Sequence, residues 1–275
     1  MSKKLAVAVI HGMGAQKKAA PDDSAALSFS ADLHKRLRVE IGEHRFDNEI
    51  AWREIFWAQE LQDRQDAYED AMRRVSSFGP FRRFVMHRLA DAAAYHPSDS
   101  ARSTYEKVHR RIDGVIEELE EDVAPGAPLL VAAHSLGGHM MSNYIWDVTK
   151  GRRPRGTAFQ RLESFAGFAT FGCNIPVFIF SHSDVQPIDF PGADRERMVT
   201  PWWRNYYDKD DPLGYPLVPI DGGYAALARA GEMQDVKVNV GWPFLRATVL
   251  SHNGYWDDRG FARRIGDFID EVMRA

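Results

Sequence analysis

Leu129-Leu130-Val131-Ala132-Ala133-His134-Ser135-Leu136-Gly137-Gly138 is the stretch on which the fold turns. Leu129 to Ala133 is a short, unbroken apolar run, the pattern of a central parallel strand buried on both faces. Beyond Gly138, Met140, Met141, Tyr144, Ile145 and Val148 recur at helical spacing up to Gly151. Ser135 therefore falls on a strand-to-helix turn. A serine exposed on such a sharp turn needs small neighbours two residues to either side, because larger side chains would collide with the adjoining helix and strand. The usual pattern is G-x-S-x-G. Here Ala133 takes the first position and Gly137 the second; alanine adds one methyl group.

Strand and helix candidates alternate on both sides of this turn. Upstream, Leu5 to Ile10 is another buried-strand run, ending in His11-Gly12-Met13-Gly14. A loop over residues 15 to 24, a helix from Ala25 to Val39 with Gly42 as its stop, and a strand near Glu49 to Trp52 follow. Residues 46 to 125 are mostly helical in character. Within them Tyr105 to Val123 is a clear helical pattern, ended by Pro125, Gly126 and Pro128. Downstream, strands are expected at Phe165 to Phe171, Trp203 to Tyr207 and Asp235 to Val240, and a closing helix at Phe261 to Met273. Pro176 to Val199 shows no lasting period. The expected fold class is α/β: a mostly parallel central sheet flanked by helices, in one domain over residues 1–275, with a helical insertion or cap at about 53–100.

Composition narrows the function. The chain has 275 residues, 44% hydrophobic and 27% charged, with a formal net charge of −4. That balance gives no broad basic surface for nucleic acid, so no nucleic-acid partner is expected. The single cysteine, Cys173, excludes an internal disulfide and a cysteine-rich zinc site, and reads as inert core filling. Leu5 to Ile10 is too short for a secretory core and no run reaches the length of a membrane span, so the expected compartment is the cytoplasm. Phe78, Phe81, Phe84, Val85 and Leu89, with Arg82, Arg83 and Arg88 around them, form either a basic amphipathic helix for a membrane surface or a helix packed on the sheet; the second is the commoner use of such a pattern.

Chemistry gathers at the ends of the strand candidates, where open α/β sheets hold their ligands. Ser135 is the candidate nucleophile. Asp208, Asp210 and Asp211 follow one later strand candidate, and His252 follows a last apolar stretch. The chain order of serine, acid and histidine is the one α/β-hydrolases use. Asp211, with Leu213 two positions on, is the first choice of acid and Asp210 the alternative. A calcium loop would need a different aspartate spacing. The backbone N–H groups of Met13 and Leu136 are the candidate oxyanion donors. A dinucleotide loop at Gly12-Met13-Gly14 is contradicted by Lys17, which stands where its third glycine should be. His11 reads as holding its loop by hydrogen bonding. His134 reads as structural, with its side chain pointing away from the site.

At these residues the sequence resembles the lipase and esterase branch of the α/β-hydrolase superfamily. The resemblance lies in His11-Gly12-Met13-Gly14, Ala133 to Gly138, Asp210-Asp211-Pro212-Leu213 and Ser251-His252-Asn253-Gly254-Tyr255-Trp256, with Asp91 to Tyr95 also similar. It implies hydrolysis of a small-molecule or lipid ester by a Ser135–His252–Asp211 triad, without metal or cofactor. Cleavage of a thioester or amide by the same triad, and a catalytically silent fold that binds a partner, are the competing expectations.

Overall fold

The structure is a computed structural model that describes residues 2–12, 27–58, 70–71, 90, 93–97, 100–179, 185–220, 222–241 and 251–275. Its frame is a six-stranded sheet in the order β2-β1-β3-β4-β5-β6. The strands are β1 (Leu5–Ile10), β2 (Ile50–Ile55), β3 (Leu129–His134), β4 (Phe165–Phe171), β5 (Trp203–Asp208) and β6 (Met233–Val238). Every neighbouring pair is parallel. A parallel sheet needs both faces covered, and the apolar runs supply the surface for it. Along β1 the side chains alternate: Ala6, Ala8 and Ile10 join one buried cluster, while Leu5, Val7 and Val9 join the other.

Helices close each face. On one side lie α3 (Thr104–Asp122) and α4 (Leu136–Thr149). α3 starts at Ser103, whose side chain accepts from the Glu106 N–H at 3.2 Å. Its residues Val108, Ile112, Val115, Ile116 and Leu119 are buried at helical spacing. The other face is covered by α1 (Ala31–Ile41), α2 (Glu43–Glu49) and α7 (Arg259–Val272). α7 is capped by Asp258, which accepts from Phe261 N–H at 2.7 Å, and buries Phe261, Ile265, Phe268, Ile269 and Val272. Two short helices, α5 (Ile175–Ile179) and α6 (Gly223–Arg229), lie in the connections after β4 and β5.

Several boundaries differ from the sequence expectations. β2 runs through Ile55, so residues 53–55 belong to the sheet and not to the expected insertion. Most of the rest of 53–100, with the Phe78 to Leu89 stripe, lies outside the described residues. β6 ends at Val238 rather than Val240, because the Val240 N–H leaves the ladder and donates to the Asp208 carboxylate at 2.6 Å. Among the described residues, no helix is long and apolar enough to cross a membrane.

The strand order reverses between β1 and β3: the chain leaves β1 for β2 on one side and returns to β3 on the other. Such a reversal opens a crevice beyond the carboxyl ends of the strands. Gly12 follows β1 and Ser135 follows β3, so both stand at its mouth.

Candidate functional site

Ser135 joins β3 to α4 with φ 56° and ψ −126°, a conformation rarely tolerated outside glycine. Three contacts hold it. Its N–H donates to Phe171 O on β4 at 3.0 Å, and its carbonyl accepts from Gly138 N–H at 3.0 Å. The chain at Gly12 presses against it, since a Cβ added there would sit 2.3 Å from the serine Cβ. The turn is tight on the helix side as well: a Cβ at Gly137 would lie 2.6 Å from His11 O at the end of β1. These approaches explain the small residues around the serine. Ser135 Oγ is buried and has no hydrogen-bond partner among the described residues.

The acid and the histidine meet across the same end of the sheet. Asp211, three residues beyond β5, places its two carboxylate oxygens 3.0 and 2.9 Å from His252 Nδ1, and both side chains are fully buried. A carboxylate on Nδ1 keeps the proton there, so Nε2 is the basic nitrogen. His252 sits in a short 3₁₀ segment, Ser251–Asp257. Asp211 also accepts from Leu213 N–H at 2.9 Å and from the Tyr255 hydroxyl at 3.2 Å. Burial by itself would raise the Asp211 pKa, but the bonds and charge of His252, with Leu213 and Tyr255, outweigh it and hold the carboxyl below its ordinary range.

The neighbouring aspartates do other things. Asp208 is buried and accepts from Asp210 N–H at 2.9 Å and from Val240 N–H at 2.6 Å, tying the acid loop to the chain leaving β6. The Asp210 carboxylate bonds the Lys209 ammonium at 2.6 Å. No cluster of three metal-ligating side chains occurs among the described residues.

Gly172, just after β4, lies between these groups: a Cβ there would be 3.2 Å from both Asp211 Oδ2 and His252 Cε1. Because the Ser135 N–H bonds Phe171 O, the end of β4 with Gly172 touches the Ser135 turn on one side and the Asp211–His252 pair on the other. Leu136 opens α4, which directs its N-terminal backbone N–H groups to the serine end of the crevice. Met13 lies outside the described residues.

Two side chains matter more than the sequence suggested. His134 does not point away from the site: its ring lies 4.6 Å from the His252 ring, and its Nε2 donates to His252 O at 2.9 Å. Tyr255 was legible only as part of an aromatic pair. In the fold its hydroxyl donates to Asp211 and accepts from Asp208 N–H at 2.9 Å. Its phenol is pushed well above the ordinary range, first by burial and then by the Asp211 charge, so it remains a donor. His11 stacks on Trp57 at 5.0 Å, and its Nδ1 lies 2.5 Å from Gly12 O, which fixes the loop leaving β1. Trp202 and Trp203 are wholly buried packing residues.

A parallel sheet of this order, with a strained serine after β3, an acid after β5 and a histidine after β6, decides the architecture. The chain has the α/β-hydrolase fold. No family model matches it, and no curated protein matches it. Solved structures similar to this chain include a truncated carbohydrate esterase from gut microbiota, with 11% identity over 100% of this chain and 88% of that one, at a TM-score of 0.46. Another is a protein assigned to the hydrolases of the α/β superfamily from Xanthomonas campestris, with 12% identity over 95% of this chain and 98% of that one, at 0.39. A third, assigned as a carboxylesterase from Lactobacillus plantarum, has 11% identity over 99% and 88%, at 0.40. The chemistry of the site rests on its own geometry.

Proposed function

We propose that the protein is a serine hydrolase that cleaves carboxylic esters through an acyl-enzyme. The observation that carries the proposal is the buried contact of His252 Nδ1 with the Asp211 carboxylate, at 2.9 and 3.0 Å, at the end of the sheet where Ser135 sits in its strained turn. In this mechanism His252 Nε2 takes the Ser135 hydroxyl proton as Oγ attacks the ester carbonyl. The Asp211 carboxylate stabilises the imidazolium that forms. The developing oxyanion is held by the backbone N–H of Leu136, and in this proposal also by that of Met13. Collapse expels the alcohol with the proton from His252. Water, deprotonated by the same imidazole, then releases the acid and restores Ser135.

The test is labelling by a fluorescent fluorophosphonate together with turnover of p-nitrophenyl acetate. Wild-type protein is expected to label and turn over. Ser135→Ala should lose labelling and at least about 10³-fold in turnover, and Asp211→Asn about 10³–10⁴-fold. Asp210→Asn should retain most activity. Equal activity in wild type and Ser135→Ala would sink the proposal.

A further inference from the structure

A cleft of about 760 Å³ lies on the face of α4 turned away from the sheet, lined by α3 and α4 and by α5 with residues 185–188. Two chemistries meet in it. Glu106 of α3 and Asp147 of α4 bring carboxylates, and Arg152, just beyond α4, brings a guanidinium. Ile175, Ile179 and Ile188 bring aliphatic surface, and the half-buried Trp146 an indole. Each carboxylate is held at one oxygen and open at the other. The Tyr105 hydroxyl donates to Asp147 Oδ2 at 2.6 Å, and Arg153 Nη1 donates to Glu106 Oε2 at 3.0 Å. Among the described residues, Asp147 Oδ1 and Glu106 Oε1 take no hydrogen bond, and neither is sealed from the surface. Arg152 is exposed and pairs with no carboxylate among those residues.

We infer that this cleft binds a neutral, hydroxyl-rich ring: a carbohydrate of one or two sugar units. The charges at the cleft cancel, Glu106 and Asp147 against Arg152 and Arg153, so neither an anion nor a cation gains a net attraction. A hydrocarbon chain would strip water from two carboxylates and return no hydrogen bond. A hydroxyl both donates and accepts, so it serves carboxylate and guanidinium alike. The bonds it donates to Asp147 Oδ1 and Glu106 Oε1 are charge-assisted, and the Tyr105 and Arg153 bonds fix those oxygens before the ligand arrives. A pyranose carries its hydroxyls around its edge and C–H groups on its faces, which matches polar groups set beside isoleucines and an indole. The volume lies within the usual range of small-molecule sites. Ser135, Asp211 and His252 do not line the cleft. The inference is therefore of a second site and does not rest on the hydrolase reading.

The test titrates the protein with maltose, cellobiose and xylobiose, followed by saturation-transfer NMR, with choline and octanoate as the cationic and apolar comparisons. Ser135→Ala, Trp146→Ala and Asp147→Asn are run beside the wild type, with far-UV circular dichroism as the check of folding. The asparagine keeps an acceptor for the Tyr105 hydroxyl and removes only the charge. Saturable binding of at least one disaccharide is expected, unchanged in Ser135→Ala and weakened at least about fivefold in each of the other two. Turnover of p-nitrophenyl acetate should be the same in Trp146→Ala as in wild type. Failure of all three disaccharides to bind folded wild-type protein, whether or not choline or octanoate binds, would overturn the inference. So would disaccharide binding that survives undiminished in folded Trp146→Ala and Asp147→Asn. Disaccharide binding lost in those variants, in a protein that does not turn over the ester, would uphold the site and remove the hydrolase proposal instead.

Discussion

His134 Nε2 donates a hydrogen bond to the carbonyl oxygen of His252 at 2.9 Å, joining the residue before the nucleophile to the backbone of the candidate base. The two imidazoles also lie 4.6 Å apart. His134→Ala removes this donor from the buried carbonyl and opens space beside the ring of the candidate base. Loss of such a bond costs about 1–3 kcal/mol, and a displacement of order 1 Å can cost about 10²-fold in rate. The expected result is a lower urea midpoint together with a fall in kcat for p-nitrophenyl acetate. An alanine variant with wild-type kcat would refute the positioning role.

Tyr255→Phe removes one donor from Asp211 and keeps the ring that packs on Phe171 and Phe261. The hydroxyl stabilises the carboxylate charge and so weakens its pull on the imidazolium. Without it, Asp211 titrates closer to the ordinary carboxylate range and His252 becomes more basic. The acid limb of the kcat/KM profile, where His252 must be neutral, should move to higher pH. A profile that stays in place while activity falls uniformly would mean that the hydroxyl acts only in packing.

His109 predicts a pH dependence of stability outside the site. Burial first, and the Arg153 charge second, push its pKa from 6.5 down to about 3. The Tyr95 hydroxyl lies 2.9 Å from its Nε2, and the Asp147 carboxylate, 3.7 Å from Nδ1, is already engaged by the Tyr105 hydroxyl at 2.6 Å. The folded state keeps this ring neutral where the unfolded chain would protonate it. Its contribution is thus complete above pH 6.5 and falls as pH drops towards 3, by up to about 1.4 kcal/mol per pH unit. Urea unfolding from pH 7 to 4 should show a shallower decline in His109→Gln than in wild type. Parallel declines would refute the assignment.

Cys173 should be silent until the protein unfolds. Its thiol is fully buried against Gly138, and burial pushes its pKa up to about 12. The thiolate is the reactive form, so a disulfide reagent should find no thiol in the native protein at pH 8 and one equivalent in denaturant. Rapid native labelling would contradict the packing.

The parts of the fold legible in the sequence are those where one physical demand dominates. β1 and β3 are buried on both faces, so their composition alone marks them. The elbow was legible because steric crowding restricts its neighbours to Ala133 and Gly137. Less legible were elements that end or turn through tertiary contacts. β6 stops where Asp208 captures the Val240 N–H, a partner 32 residues away. α2 follows α1 after a single residue, Gly42, which by local signals reads only as a stop. The roles of His134 and Tyr255 were not legible for a similar reason: their partners, His252 and Asp211, are distant in sequence, and no periodicity encodes a hydrogen bond between loops.

Ser135, Asp211 and His252 follow three different strands, and β4 supplies the spacer between them. No fragment of the chain holds the constellation. Each of its pairings closes a long loop, so the site comes into being only after the central and distal strands have docked. Turnover is then a reporter of complete assembly: during refolding, helical signal should return first and ester hydrolysis last, with no partially active species in between.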